Sequence, residues 1–195
     1  MDWQITELQW WEILAVVMAI VYLVLAIRQN IWCWAAAAVS TLLYLFIMYE
    51  ARLYMESVLQ VFYLAMAVYG WHQWGRGGPD GNELKVSTWP LRYHLFAIGL
   101  VLILVFISGE LLTRYSNAAL PFLDSLTTWG AIVATFMVTR KILENWIYWF
   151  VIDAVSIALY LSRDLLFTAA LFSAYLVMIV IGYRSWRATM LDSAA

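Results

Sequence analysis

Asn145-Trp146-Ile147-Tyr148-Trp149-Phe150-Val151-Ile152-Asp153-Ala154-Val155-Ser156-Ile157-Ala158-Leu159-Tyr160-Leu161 decides how this chain folds. The run holds one charged residue, Asp153, and neither glycine nor proline. An apolar stretch of this length predicts a membrane-crossing helix. At a rise of about 1.5 Å per residue, Asp153 lies about 12 Å inside it, near the midplane. An acid at that depth costs roughly 2.5–3.5 kcal/mol. Such residues face the bundle interior and mark functional sites. At 100° per residue, Trp146, Trp149, Asp153, Ser156 and Tyr160 share an arc of about 80°. An otherwise greasy helix thus carries one polar, aromatic stripe.

The rest of the chain is of the same kind. Of its 195 residues, 65% are apolar and 12% charged. A soluble domain is nearer half apolar and a quarter charged, and one of this size could not bury so much apolar surface. The expected fold is therefore an all-α integral membrane protein: one transmembrane domain over 1–195 with seven helices. The spans fall at about 10–27, 31–49, 57–74, 93–112, 120–139, 145–161 and 165–183. None alternates like a barrel strand. Connections such as Arg28-Gln29-Asn30 and Ser162-Arg163-Asp164 force antiparallel neighbours. The longer linker near 75–92, with Gly75, Gly77, Gly78, Pro79 and Gly81, reads as a flexible surface loop.

Several classes are excluded. One cysteine, Cys33, allows no intrachain disulfide framework and no Cys-rich metal site. A net charge of −2 offers no basic field for nucleic acid. The start, Met1-Asp2-Trp3-Gln4-Ile5-Thr6-Glu7, lacks a basic leader and a small-residue cleavage site, so residue 1 is expected to be the mature start. Seven spans put the termini on opposite faces. Arg52, Arg114 and Arg163 lie on the N-terminal side, and the other 8 of the 11 basic residues lie opposite. That bias predicts an outside N-terminus and a cytoplasmic C-terminus. Trp3, Trp10, Trp11, Trp71, Trp74, Trp89 and Trp186 sit near span ends, where indoles favour the interface.

An internal repeat is visible. Asn30-Ile31-Trp32-Cys33-Trp34 aligns with Asn145-Trp146-Ile147-Tyr148-Trp149 at an offset of 115. Tyr63…Gly70-Trp71-His72-Gln73-Trp74 aligns with Tyr175…Gly182-Tyr183-Arg184-Ser185-Trp186 at 112. The first copy would then hold three extra residues between its two motifs. The expected plan is a three-helix repeat over 10–74, a linker helix over 93–112, and a second repeat over 120–183. One linker crossing makes the repeats parallel, as in the SWEET transporters.

Other polar groups join Asp153 at depth. On the third span, Glu56, Gln60, Tyr63, Gly70, Trp71 and Trp74 share an arc of about 100°. Tyr175, Ser40 and Thr41 reach the depth of Asp153, and Asp124 lies near the outer end of the fifth span. Indole faces stack on flat rings and attract cations, and a carboxylate adds a charge preference. Gln, Asn, Ser and Tyr supply hydrogen bonds for hydroxyls. The ligand expected from this lining is a flat, cationic aromatic group with polar substituents. The competing reading gives each part a structural task. Tryptophans pack or form the belt, Ser40, Thr41 and Ser156 bond their own helix, and Asp124 complements a helix dipole. His72 and His94 fall at the cytoplasmic edge.

Leu59-Gln60-Val61-Phe62-Tyr63 leading to Tyr69-Gly70-Trp71-His72-Gln73-Trp74 resembles the third-helix motif of the PnuC vitamin transporters. Thr139-Arg140-Lys141-Ile142-Leu143-Glu144-Asn145-Trp146-Ile147-Tyr148-Trp149 resembles their sixth, and Pro121-Phe122-Leu123-Asp124-Ser125 their fifth-helix entry. The resemblance covers about 11–186. It implies a SWEET-like homotrimer in the inner membrane, without cofactor or metal. The implied activity is facilitated uptake of nicotinamide riboside, trapped by a cytoplasmic kinase. By motif, the implied site is Asn145, Trp146, Trp149 and residue 153, with Gln60 and Tyr63 opposite. Some members carry Asn where this chain has Asp153. Related branches carry thiamine or riboflavin, and the acid weighs against neutral riboflavin.

Other seven-helix and intramembrane activities fit poorly. A retinal photoreceptor needs a deep lysine, and Lys85 and Lys141 are both in loops. An intramembrane protease needs a deep Ser–His or Asp–Asp pair, and no histidine is deep, so an enzyme is not expected. A proton- or Na⁺-coupled carrier using Asp153 or Asp124 remains an alternative, as does a membrane scaffold. The expected mechanism is alternating access, with Gly70 and Gly182 easing the cytoplasmic gate.

Overall fold

In hydrocarbon, backbone N–H and C=O groups find no water, so an apolar chain satisfies them inside helices. Seven helices form in the computed structural model, which describes residues 2–50, 54–77, 83–116, 120–161 and 166–193. They are α1 (Asp2–Ile27), α2 (Cys33–Glu50), α3 (Tyr54–Arg76), α4 (Leu91–Tyr115), α5 (Pro121–Thr139), α6 (Asn145–Leu161) and α7 (Leu166–Asp192). Among the described residues the one isolated β-bridge joins Ser87 and Ile142. The expected spans all appear, and α1 and α7 run beyond them into polar sequence. Arg52, Gly78, Pro79, Gly81 and the connection Ser162-Arg163-Asp164 lie outside the described residues, as do the side chains of Trp3, Glu56 and Tyr160.

Among the described residues, four stretches are long and apolar enough to cross a membrane by themselves: Trp10–Ile27, Leu91–Tyr115, Pro121–Thr139 and Ala169–Asp192. Cys33–Ile47 and Asn145–Ala158 are further apolar stretches within α2 and α6. Along α4, Leu95, Phe96, Leu102, Ile103 and Phe106 are exposed, an outer face suited to lipid tails.

The chain divides into two compact units at Lys85 and Val86. In the first, α2 packs on both α1 and α3. In the second, α5 packs on α4 and α6, and α6 packs on α7. The linker helix α4 therefore belongs with the helices that follow it.

Both units use the same turn. After α1, Gln29 N–H donates to Ala26 O (3.0 Å) and Asn30 N–H to Leu25 O (2.9 Å). After α5, Lys141 N–H donates to Val138 O (3.0 Å) and Ile142 N–H to Met137 O (2.9 Å). This is a Schellman pair, which needs a left-handed residue just past the helix. Gln29 (φ 55°) and Lys141 (φ 50°) supply it. The turn corrects the repeat register, since every one of these partners recurs at 112 rather than 115. Trp34 thus corresponds to Trp146, not Trp149, and Asn145 to Cys33, not Asn30. The first copy holds no extra residues. Asn30 does different work: its Oδ1 accepts from Trp32 N–H at 3.0 Å.

The same register governs packing. The Trp34 ring lies over Gly70 and meets Trp74 edge-on at 5.4 Å and 84°. The Trp146 ring lies over Gly182 and meets Trp186 edge-on at 5.4 Å and 88°. A Cβ at either glycine would overlap the indole. Neither glycine has a positive φ. Each therefore permits close approach of the indole to the helix backbone.

The described part of the linker that leads into α4 is tied down by hydrogen bonds. Ser87 N–H donates to Lys141 O (3.1 Å), and Ser87 O accepts from Leu143 N–H (2.8 Å). Trp89 N–H reaches Glu144 Oε2 at 3.3 Å, and Val86 is buried. This strap lies along the α5–α6 turn.

Candidate functional site

The polar stripe of α6 faces the protein. Asn145, Trp146, Ile152, Asp153 and Ser156 are buried, whereas Ile147, Phe150, Val151 and Leu161 are exposed. By the helical wheel the buried set spans about 120°. Trp149 falls inside that arc and is half-buried.

Each tryptophan has its own situation. Trp146 is 3% exposed and held between Gly182 and Trp186. It therefore sets the α6–α7 contact. Trp149 is half-buried and has no ring partner among the described residues. Asn145 is fully buried; its Nδ2 donates to Ile142 O at 2.6 Å, and its Oδ1 finds no donor among the described residues. Asp153 is 5% exposed.

The seat of Trp146 on Gly182 fixes an antiparallel register. Seven residues along α6 and seven back along α7, Asp153 comes level with Tyr175. In the first unit, Trp34 on Gly70 brings Thr41 level with Tyr63, and Tyr44 level with Gln60. Thr41 and Asp153 are equivalent positions in the 112 register, as are Tyr63 and Tyr175. Each unit thus carries a tyrosine beside a polar group halfway along a buried hairpin. Thr41 is buried, and Gln60, Tyr63 and Tyr175 are half-buried.

Other expected residues separate from this set. Ser40 is buried, and its Oγ donates to Ala15 O at 2.9 Å, tying α2 to α1. Trp71 is 39% exposed and meets Trp32 edge-on at 5.3 Å. Asp124 is exposed in the first turn of α5, where a carboxylate complements the helix dipole. His94 does more than mark an interface: its Nδ1 pairs with Tyr148 Oη at 3.0 Å, beside Trp89.

Sequence reasoning missed several polar groups. Tyr22 on α1 meets the Trp34 ring at 6.0 Å. Ser125, Thr135 and Thr139 are buried on α5. Thr139 Oγ1 donates to Phe136 O at 2.7 Å, whereas Ser125 Oγ has no partner among the described residues. A signal existed, because Ser125, Thr128, Thr135 and Thr139 recur on one helical face. Among the described residues no group of three His, Cys, Asp or Glu could hold a metal.

The nicotinamide mononucleotide transporter family model matches residues 9–188. The riboflavin/roseoflavin transporter RibM of Streptomyces davaonensis is 27% identical, over 91% of this chain and 84% of its own. The nicotinamide riboside transporter PnuC of Escherichia coli is 26% identical, over 92% and 86%. Its counterpart from Neisseria mucosa is 24% identical, over 91% and 72%. A crystal structure of the vitamin B3 transporter PnuC shares the fold, with a TM-score of 0.73 at 23% identity over 94% of this chain and 83% of that one. These relatives are transporters, not enzymes.

Proposed function

The chain belongs to the nicotinamide mononucleotide transporter family, and on that footing we propose that it takes up nicotinamide riboside by facilitated diffusion. The observation that carries the substrate is the buried acid of α6. Asp153 shares its face with Asn145 and Trp149. A pyridinium ring offers a positive charge to the carboxylate and a flat face to the indole. The ribose hydroxyls suit Tyr175 and Ser156, which lie in the same unit as Asp153. Alternating access exposes the bound nucleoside to one side and then the other. Phosphorylation by a cytoplasmic kinase adds negative charge and keeps it inside. The proposal includes an inner-membrane, SWEET-like homotrimer with its N-terminus outside.

Riboflavin is the second reading, favoured by the 27% identity to RibM. Thiamine, another cationic aromatic, fits the acid as nicotinamide riboside does. Calorimetry of the purified protein with all three vitamins separates them. Nicotinamide riboside should bind, and Asp153→Asn should weaken it by about 1.5–3 kcal/mol, the range for a hydrogen bond to a charged group. Riboflavin binding alone, with the variant unchanged, would reverse the assignment. In proteoliposomes, uptake should stop at equal concentrations. Accumulation driven by an imposed pH gradient would instead make Asp153 or Asp124 a coupling site.

A further inference from the structure

A groove of about 350 Å³ runs between α6 and α7 near the C-terminal end of α7. One end is apolar, formed by Ile147, Phe150, Ile179 and Val180, with Trp146 behind them. The other end carries Tyr183, Arg184 and Arg187. The two arginines are three residues apart, so they lie on one helix face a turn apart. Both are exposed. Among the described residues the one ion pair is Arg114–Glu110, so neither of these guanidinium groups is neutralised.

We propose that this groove binds an anionic phospholipid, its phosphate held by Arg184 and Arg187 and one acyl chain along Ile147, Phe150, Ile179 and Val180. The change from Ile179-Val180-Ile181 to Tyr183-Arg184 marks the place where α7 passes from hydrocarbon to headgroups. Basic pockets between transmembrane helices at that level are suited to lipid phosphates, and guanidinium groups grip phosphate through two parallel hydrogen bonds. A free phosphate would leave the apolar wall unused, and a zwitterionic lipid would bring its own cation to the arginines.

The internal repeat supplies a control. In the 112 register, Arg184 and Arg187 correspond to His72 and Gly75, and Ile147 and Phe150 to Ala35 and Ala38. The first unit instead places the Trp32–Trp71 pair at this end. The packing frame shared by both units thus works without the arginines or the large apolar wall. Those are particular to the second unit.

The test uses the full chain purified in a neutral detergent, with binding read by native mass spectrometry and by thermal midpoint. Phosphatidylglycerol should be retained and should raise the midpoint. Phosphatidylcholine with the same chains, or inorganic phosphate, should do neither. Each arginine contributes about fivefold at a membrane surface, so Arg184→Gln with Arg187→Gln should weaken phosphatidylglycerol about thirtyfold. Val180→Trp fills the groove from an exposed position and keeps both charges; it should also abolish retention. Equal retention of phosphatidylcholine overturns the proposal. So does an equal effect of inorganic phosphate, or full binding by Val180→Trp, which would reduce the arginines to a diffuse charge. None of these readouts depends on transport, so failure here leaves the substrate assignment untouched.

Discussion

Replacing Gly182 with alanine sets two known effects against each other. A Cβ there would lie 2.5–2.7 Å from Cη2, Cζ3 and Cζ2 of Trp146, whereas carbon contacts are comfortable at about 3.5–4.0 Å. The ring would have to retreat by about 1 Å. It has little room, because Trp146 is 3% exposed and stands edge-on against Trp186, which is 0% exposed. Overpacking of this kind costs about 1–3 kcal/mol. Alanine returns roughly 0.8–1.0 kcal/mol of helix propensity. The net loss in the native background is therefore about 0–2 kcal/mol. Trp146→Phe removes the clashing ring carbons, at a cost of its own from the space left behind. In that background Gly182→Ala should turn from destabilising to neutral or stabilising. The assay is a double-mutant cycle on unfolding in detergent, with nicotinamide riboside affinity measured alongside. Because Trp146 sets the register of Asp153 against Tyr175, Gly182→Ala should also weaken binding. Equal costs of Gly182→Ala in both backgrounds would refute the steric argument.

Three further outcomes follow from the geometry. Trp149→Ala should lose about 1–3 kcal/mol of affinity in calorimetry if its ring stacks on the ligand (a scale set by base–aromatic stacking), and unchanged affinity would leave the ring a packing role. Ser40→Ala removes the 2.9 Å bond to Ala15 O; it should cost about 0.6 kcal/mol of stability, the average for interhelical bonds in membranes, and leave substrate affinity alone. Ser87→Pro deletes one strap bond, from Ser87 N–H to Lys141 O. It should speed hydrogen exchange at Leu143, whose N–H donates to Ser87, and equal exchange rates would argue that the strap is held by Trp89 instead.

The helices and the acid of α6 were legible for the same reason. Apolar runs are long and charges within them rare, so composition alone marks the spans and Asp153 stands out. The repeat register was not legible. Matching letters paired Asn30 with Asn145 and Trp34 with Trp149, but the structure repeats a backbone turn. Its left-handed positions hold Gln29 and Lys141, which share no letter. Gly70 and Gly182 were found as repeated residues, yet their task depends on the indole above each, which sequence alone does not locate. The strap at 83–90 escaped because its partners lie some 55 residues later, and two of its three bonds join backbone groups, which carry no sequence signature. Tyr22 escaped because a single hydroxyl is common in an apolar helix, and burial marks it out only after folding; Ser125 and Thr135 carried a signal in their helical spacing with Thr128 and Thr139 that was passed over.

The 112-residue doubling has a consequence for how specificity can change. Two identical subunits related by symmetry must alter together, so any charge gained on one side appears on the other. A fused duplication is free of that rule. Here one unit has a neutral threonine at position 41 while the equivalent position 153 holds an acid. In such a chain a charge can be placed in one half alone, while the other half keeps the shared turn and the Trp-on-Gly packing.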